Sequence, residues 1–559
     1  MLSCPSIPIR RLAYDVDQPV GLPPVWGLGI ISASVIRLFS IAVCFTLGLV
    51  QSSTAVESRT GVHPNVVFFL VDDMGWRDVA CFGSSFYETP NIDRFAKQGV
   101  RFTNAYAACH VCSPTRASIM TGKYPGRLDL TDWLSGRREF DFQRFLSAEK
   151  LQALPLEEVT LAEALKAKGY RTGIFGKWHL GDAEAGPLNQ GFDIQVPNWN
   201  GCCPRGGYHP PYRMEGLTIR GKEDEYLTDR LTSMALDFME QSKDRPFFLY
   251  LSHFSVHDPI QGRKDLVEKY TAKLAKLRPL EGPPFILEGN PDDKAPLLRE
   301  KLTELLGKPS HQDHKVLPQR TIKIKQRQDN VEFAAMVESV DESLGRVLEK
   351  LDEIGQKDNT IVIFYSDNGG MSAGNFGNPT RVVKQNQLDR AYATSNLPLR
   401  GAKGWLYEGG VRVPMIVKWP GKGRAGMICE EPVISPDFYP SILEMVGLPA
   451  KPDQHKDGKS FAPALEGKSF ERGPIYWHFP HYSNHGMQSP GGGIREGDYK
   501  LLEYFENNTV QLFNLKEDIG EQNDLARVQP KKAAKMLAKL HVWRSEVGAR
   551  MLRPKKNNL

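Results

Sequence analysis

Two pairs of hard oxygen donors follow directly on apolar runs. Asp72-Asp73 comes after Asn65-Val66-Val67-Phe68-Phe69-Leu70-Val71, and Asp367-Asn368-Gly369-Gly370 comes after Thr360-Ile361-Val362-Ile363-Phe364-Tyr365-Ser366. In an open α/β sheet, ligands bind beyond the carboxyl ends of the strands. Three carboxylates and an amide oxygen gathered there would suit Ca2+ or Mg2+, which take oxygen ligands. A single acidic pair is a weak signal, because acids also cap helices and close turns. Two oxygen-rich strand ends in one sheet raise the metal reading above that. Cys109-His110-Val111-Cys112 offers different chemistry, since C-x-x-C is the spacing of a redox pair or of half a zinc site. Zinc would need a second ligand pair, and none stands at a convincing spacing, so no soft-metal site is expected. Lys177, His179, His257 and Lys403 lie near strand-like runs or in glycine-rich segments. Taken singly, each is more commonly a solvated or capping residue.

The elements that would position these groups read as an α/β architecture. The runs at 65–71 and 360–366, with Pro246–Ser252 and Pro414–Trp419, are rich in apolar residues and suit strands buried on both faces. Between them lie helical patterns. Thr160 precedes Leu161-Ala162-Glu163, with Gly169 closing the segment, which is a capping-box start and a glycine stop. Over 330–354, Phe333, Val337, Val340, Leu344, Val347 and Leu351 fall on one helical face. Strands alternating with helices predict a large domain with a mostly parallel central sheet sandwiched by helices. The expected boundaries are 62–465 for that domain and 470–559 for a smaller C-terminal α+β subdomain. The latter has antiparallel strands over 493–515 and a closing helix over 530–547. The proline-rich, basic stretch 263–328 reads as an insertion, a solvated surface excursion ahead of a dedicated substrate face.

The 559 residues exceed one small core, and a net charge of +5 gives no footprint of nucleic-acid binding. Residues 38–50 are apolar, preceded by Arg37 and followed by Ser53-Thr54-Ala55, so residues 1–55 read as a signal peptide or leader. A membrane anchor over 27–50 is the second reading. Beyond the leader stand Cys81, Cys109, Cys112, Cys202, Cys203 and Cys429, which do not make a disulfide-stapled scaffold. For Cys202-Cys203, two thiols or separate pairings are expected ahead of a vicinal disulfide. Tyr476–Tyr482 reads equally as a sugar-stacking platform or as strand core. Asn507-Asn508-Thr509 fits a glycosylation sequon.

Cys112-Ser113-Pro114-Thr115-Arg116, continued by Ala117-Ser118-Ile119-Met120-Thr121-Gly122-Lys123-Tyr124, closely resembles the C-x-P-x-R motif of the type I formylglycine-dependent, arylsulfatase-like sulfatases of the alkaline phosphatase superfamily. The resemblance runs from about residue 62 to 525. Gly176-Lys177-Trp178-His179-Leu180-Gly181 is similar to the family's G-K-W-H-L-G element, Ser255-Val256-His257-Asp258-Pro259 to its leaving-group histidine segment, and Gly401-Ala402-Lys403-Gly404 to its lysine loop. It implies that a formylglycine-generating enzyme oxidises Cys112, with Pro114 suiting recognition of the extended segment. The hydrated aldehyde has two hydroxyls on one carbon. One attacks sulfur and expels the alcohol, and loss of a proton from the other ejects sulfate. The implied metal is calcium, one per chain, held by Asp72, Asp73, Asp367 and Asn368 with the modified Cys112 side chain. Lys177 and Lys403 would contact sulfate, His179 would serve the hydrate, and His257 would be the general acid. Arg116 would orient residue 112 and support the metal shell. Many relatives carry a second histidine two positions before the one matched here; this chain has Ser255, which is assigned no role.

The expected activity is therefore hydrolysis of a sulfate ester, with a sulfated carbohydrate as substrate, in a secreted or periplasmic protein with no stable membrane partner. Two alternatives remain: a phosphonate monoester or phosphodiester hydrolase of the same superfamily, and a non-catalytic sulfated-glycan-binding protein. Specificity is expected in the loops 183–215, 263–328 and 371–396.

Overall fold

The computed structural model describes residues 63–217, 224–278 and 281–555. The leader and the alternative anchor over 27–50 lie outside the described residues. Among the described residues, no helix is long and apolar enough to cross a membrane.

Eight strands form the central sheet: β1 (Asn65–Val71), β2 (Val100–Phe102), β3 (Arg171–Gly176), β4 (Ile194–Val196), β5 (Phe247–Ser252), β6 (Thr360–Ser366), β7 (Met415–Lys418) and β8 (Ile428–Cys429). Their order is β8-β2-β7-β6-β1-β5-β3-β4. The segment β6-β1-β5-β3-β4 is parallel throughout. The run expected over 414–419 is strand β7, and it enters antiparallel to β6. The continuous apolar runs are explained by burial on both faces. Val66, Phe68 and Leu70 of β1 point into one apolar layer, and Val67, Phe69 and Val71 into the other.

Helices cover both layers. The first layer receives α1 (Cys112–Thr121) and α2 (Leu161–Lys166), and the second receives α3 (Leu227–Glu240) and α4 (Val331–Glu353). The capping box at Thr160 forms as read: Glu163 N–H donates to the threonine side chain, and the Glu163 carboxylate accepts from Thr160 N–H. All six apolar residues assigned to the inner face of α4 are buried.

The C-terminal region adds a four-stranded antiparallel sheet, β9 (Ile475–Phe479), β10 (Gly491–Glu496), β11 (Tyr499–Tyr504) and β12 (Thr509–Asn514), in sequential order. Helix α5 (Pro530–Glu546) packs Met536, Leu540 and Trp543 into the same apolar cluster as Trp477, Ile494 and Leu501. The stretch 263–328 has elements of its own. A helix over Lys264–Lys276 sinks Leu266 and Tyr270 into the second layer, and Phe285–Glu288 pairs with Ile322–Lys325.

Candidate active site

Strand register brings the acids together. Val71 lies beside Ser366 in the β1–β6 pair, so Asp72-Asp73 and Asp367-Asn368 leave the sheet side by side. Ser252 of β5 lies beside both Leu70 of β1 and Gly176 of β3, which delivers Lys177 to the same edge. Gly176 has φ +113°, and a Cβ there would stand 1.8 Å from the Ser252 carbonyl oxygen, so the turn into Lys177 needs glycine. Asp73 and His179 hold left-handed backbone, at φ +62° and +57°. Non-glycine residues in that region are strained, and such strain gathers at functional sites.

The four oxygen-bearing residues are buried and only partly satisfied. Asn368 Nδ2 donates to Asp73 Oδ1 at 2.8 Å, and Asp73 N–H donates to Asp367 Oδ1 at 3.1 Å. Among the described residues, Asp72 Oδ1 and Asn368 Oδ1 are buried without a hydrogen-bond partner, with Arg116 Nη2 standing 3.7 Å from Asp72 Oδ1. Orphaned buried acceptors are unfavourable by about 1–3 kcal/mol each. Burial lifts the Asp72 carboxyl to about 7, with neighbouring Asp367 adding to the lift against the pull of Lys177. One donor atom each from Asp72, Asp367 and Cys112 lies within 4.8 Å of the others. A hard divalent cation fits the three carboxylates and the Asn368 amide, because it would satisfy the orphan oxygens and offset the crowded negative charge.

Three cations surround the acids. Lys177 Nζ lies 2.7 Å from Asp72 Oδ2, and Lys403 Nζ lies 2.7 Å from Asp73 Oδ2. Arg116 Nε donates to Asp367 Oδ2 at 2.8 Å, and its Nη1 reaches Ser252 Oγ at 2.6 Å and the Lys177 carbonyl at 3.1 Å. Arg116 therefore ties α1 to three strand ends. Cys112 is the first residue of α1, whose N-cap, Val111, supplies no side-chain cap. Residue 112 thus stands at the positive end of a ten-residue helix. Burial raises the Cys112 thiol above its ordinary value, while Lys177 and Lys403 oppose that rise.

The two histidines differ. His179 Nε2 lies 2.5 Å from the Leu134 carbonyl and must donate to it, which leaves Nδ1 as an acceptor, 3.4 Å from Cys112 Sγ. Burial, with Lys177 beside it, holds His179 well below its usual range, so it is neutral. His257 is also buried, which alone would lower it, but Asp73 and Asp258 raise it well above its usual range and keep it charged. Asp258 Oδ1 lies 2.8 Å from His257 Nδ1. Two titratable groups pushed apart in this way divide naturally into a base and an acid.

Cys112, His179, His257 and Lys403 line one cavity of about 140 Å³, together with Val111, Trp133, Cys202, Cys203, Asp258, Asn375, Asn484 and His485. Every site residue expected from the sequence is therefore placed at this cavity or in the charged layer against it. Sequence reasoning missed Trp133, Asn375, Asn484 and His485, which come from three loops carrying no motif. Asp258 stood inside a quoted motif without a role.

Packing decides one open reading and bears on two others. Trp477, His478, Phe479 and Tyr482 are buried, and Tyr476 stacks on Trp543 at 4.7 Å, so this segment is core and not a sugar platform. Phe479 instead packs against His110 at 4.2 Å and supports the loop that leads to Cys112. The amide nitrogen of Asn507 is engaged by the Asp292 carbonyl at 2.7 Å. A soft donor group does exist: Cys203, His257 and Asp258 place one ligand atom each within 4.8 Å of one another. Cys203 lies 54 and 55 residues before the adjacent His257 and Asp258, so no local spacing announces the group.

Comparison with known proteins agrees with this geometry. The sulfatase family model matches residues 64–448, and that of the N-sulphoglucosamine sulphohydrolase C-terminal region matches 402–546. A sulfatase of Formosa agariphila is 29% identical over 91% of this chain and 94% of its own length. Human N-acetylgalactosamine-6-sulfatase is 30% identical over 74% of this chain and 68% of its own. Among solved structures, Ps i-CgsB, also determined in complex with k-i-k-neocarrahexaose, is 27% identical, with a TM-score of 0.63 over 86% of this chain and 93% of that one. A family model spanning most of the chain and relatives matched over most of their length lead to one conclusion: this protein belongs to the sulfatase family, whose members are sulfuric ester hydrolases.

Proposed function

We propose that the protein hydrolyses the sulfate ester of a sulfated carbohydrate, using a formylglycine made from Cys112 and a calcium ion held by Asp72, Asp73, Asp367 and Asn368. The observation that carries this reading is the convergence on one cavity. Cys112 sits at a helix N-terminus, cations flank it, and a neutral and a charged histidine share the space. The hydrated formylglycine would supply the nucleophilic hydroxyl. Calcium would supply Lewis-acid neutralisation of the sulfate oxygens.

The rest follows from the chain's own side chains. Lys177 and Lys403 hold the sulfate in place and offset the charge that develops on it. Each already faces a carboxylate that a bound cation would share. Arg116 fixes residue 112 by anchoring its helix to Asp367 and Ser252. His179 accepts a proton at Nδ1 from the side chain of residue 112. His257 donates from Nε2 to the departing alcohol, with Asp258 holding its other nitrogen. A carbohydrate substrate is supported by the relative named for N-acetylgalactosamine 6-sulfate and by the saccharide complex of Ps i-CgsB. We place the protein outside the cytoplasm, as its leader-like N-terminus suggests.

The test is sulfate release from a panel of sulfated saccharides, a sulfated phenol and a phosphodiester. The protein is co-expressed with a formylglycine-generating enzyme, with Cys112→Ala alongside. Saccharide turnover lost in the variant supports the proposal. Strong phosphodiester turnover with weak sulfate release overturns it in favour of the phosphoryl branch.

A further inference from the structure

Cys203, His257 and Asp258 form a donor set unlike the oxygen cluster beside it. One sulfur, one imidazole nitrogen and one carboxylate oxygen lie within 4.8 Å of one another. All three residues line the catalytic cavity, with His257 buried and the other two half-buried, so a dissolved ion can reach them. Donor atoms on a tetrahedral zinc stand about 3.3–3.7 Å apart, given bonds of about 2.0–2.3 Å. Shifts of about 1 Å, within the reach of side-chain rotation, would close the set around an ion. Cys202 Sγ lies 2.6 Å from Cys203 Sγ, and no disulfide joins the two. The mixed sulfur, nitrogen and oxygen donors suit a borderline cation such as Zn2+ and disfavour Ca2+.

We infer that Cys203, His257 and Asp258 make a second metal site, selective for Zn2+, whose occupation silences the enzyme by taking His257 away from the leaving group. Binding forms three protein–zinc bonds and releases to solvent the proton on the ligating nitrogen of the charged His257, together with any proton still on Cys203, whose thiol the neighbouring Cys202 already holds below its ordinary value. The fourth position is left to water, as in other three-ligand zinc sites. Its effect on turnover rests on the role proposed for His257, whereas binding itself does not.

The two parts separate in one experiment on the full, matured, calcium-loaded chain kept under a non-thiol reductant. Zn2+ is titrated calorimetrically and against turnover, and Co2+ is used as a spectroscopic substitute. The wild-type chain should take up zinc, lose turnover in step, and show a thiolate-to-cobalt charge-transfer band. Cys203→Ser should lose the band and weaken zinc binding by at least the roughly 10–100-fold that disturbing a metal's outer shell alone produces. Inhibition is scored against each variant's own zinc-free rate. Cys112→Ala, which abolishes the proposed activity, should keep the band, so a failed sulfatase reading leaves the site testable. An unchanged band and zinc affinity in Cys203→Ser would overturn the site. Zinc uptake through Cys203 without loss of turnover would overturn the inhibition.

Discussion

Replacing His257 by alanine should divide substrates by their leaving group. Its Nδ1 is fixed by Asp258 at 2.8 Å, its Nε2 lies 3.6 Å from Asp73, and these carboxylates, against burial, raise the ring above its usual range. A sugar hydroxyl leaves badly as an alkoxide and needs that proton, whereas a nitrophenolate leaves unaided. General acid catalysis contributes about 10²–10⁴-fold. The variant should therefore lose that factor on a sulfated saccharide, about 3–5 kcal/mol of barrier. On nitrophenyl sulfate the loss should stay within about tenfold. His179→Ala should slow both substrates alike, because its partner is residue 112 and not the leaving group. The assay is initial-rate sulfate release by both variants with calcium saturating, after thermal melting shows that each is folded. Equal losses on the two substrates in His257→Ala would refute the acid assignment.

Three further outcomes follow from the geometry. Removing calcium with a chelator should abolish turnover and lower the melting temperature, because Asp72 Oδ1 and Asn368 Oδ1 are then unsatisfied; calcium at 100 times its dissociation constant stabilises by about 2.7 kcal/mol. An unchanged melting curve would count against the oxygen site. In Asp258→Asn one of the carboxylates that raise His257 is gone, so that histidine deprotonates at lower pH. The alkaline limb of the saccharide rate profile should move to lower pH while the nitrophenyl profile stays put; a profile unmoved for both substrates counts against Asp258 as the positioning residue. Gly176→Ala would force a Cβ to within 1.8 Å of the Ser252 carbonyl oxygen at a positive φ and should destabilise by about 3 kcal/mol or more in urea unfolding, a loss near zero showing that the turn relaxes freely.

Much of this was legible because local pattern and long-range register agree. The continuous apolar runs of β1, β5 and β6 required burial on both faces, and a parallel sheet then required their carboxyl ends to meet. Asp72 and Asp367 could be joined on paper for that reason. The histidines and lysines were legible only through their family motifs, since nothing in the spacing of Lys177 or Lys403 reveals that each faces a carboxylate. The antiparallel entry of β7 was not readable, because an apolar run has no direction. Tyr476–Tyr482 was ambiguous because aromatic residues serve cores and sugar platforms alike; the packing of Phe479 behind the Cys112 loop, and of Trp477 against Tyr106 and the Ala107 carbonyl, decides it. The cluster of Cys203 with His257 and Asp258 arises from two loops meeting over the sheet edge, a contact that no period or motif encodes.

The central claim is that residue 112 acts as a formylglycine. The most direct measurement is the mass of the peptide containing residue 112 from protein purified in active form, read alongside its sulfate release and that of Cys112→Ala. The account predicts a peptide in which the side chain has lost its sulfur and two hydrogens and gained one oxygen, activity in proportion to the converted fraction, and none in the variant. Full sulfate release from protein whose Cys112 remains an intact thiol would contradict it.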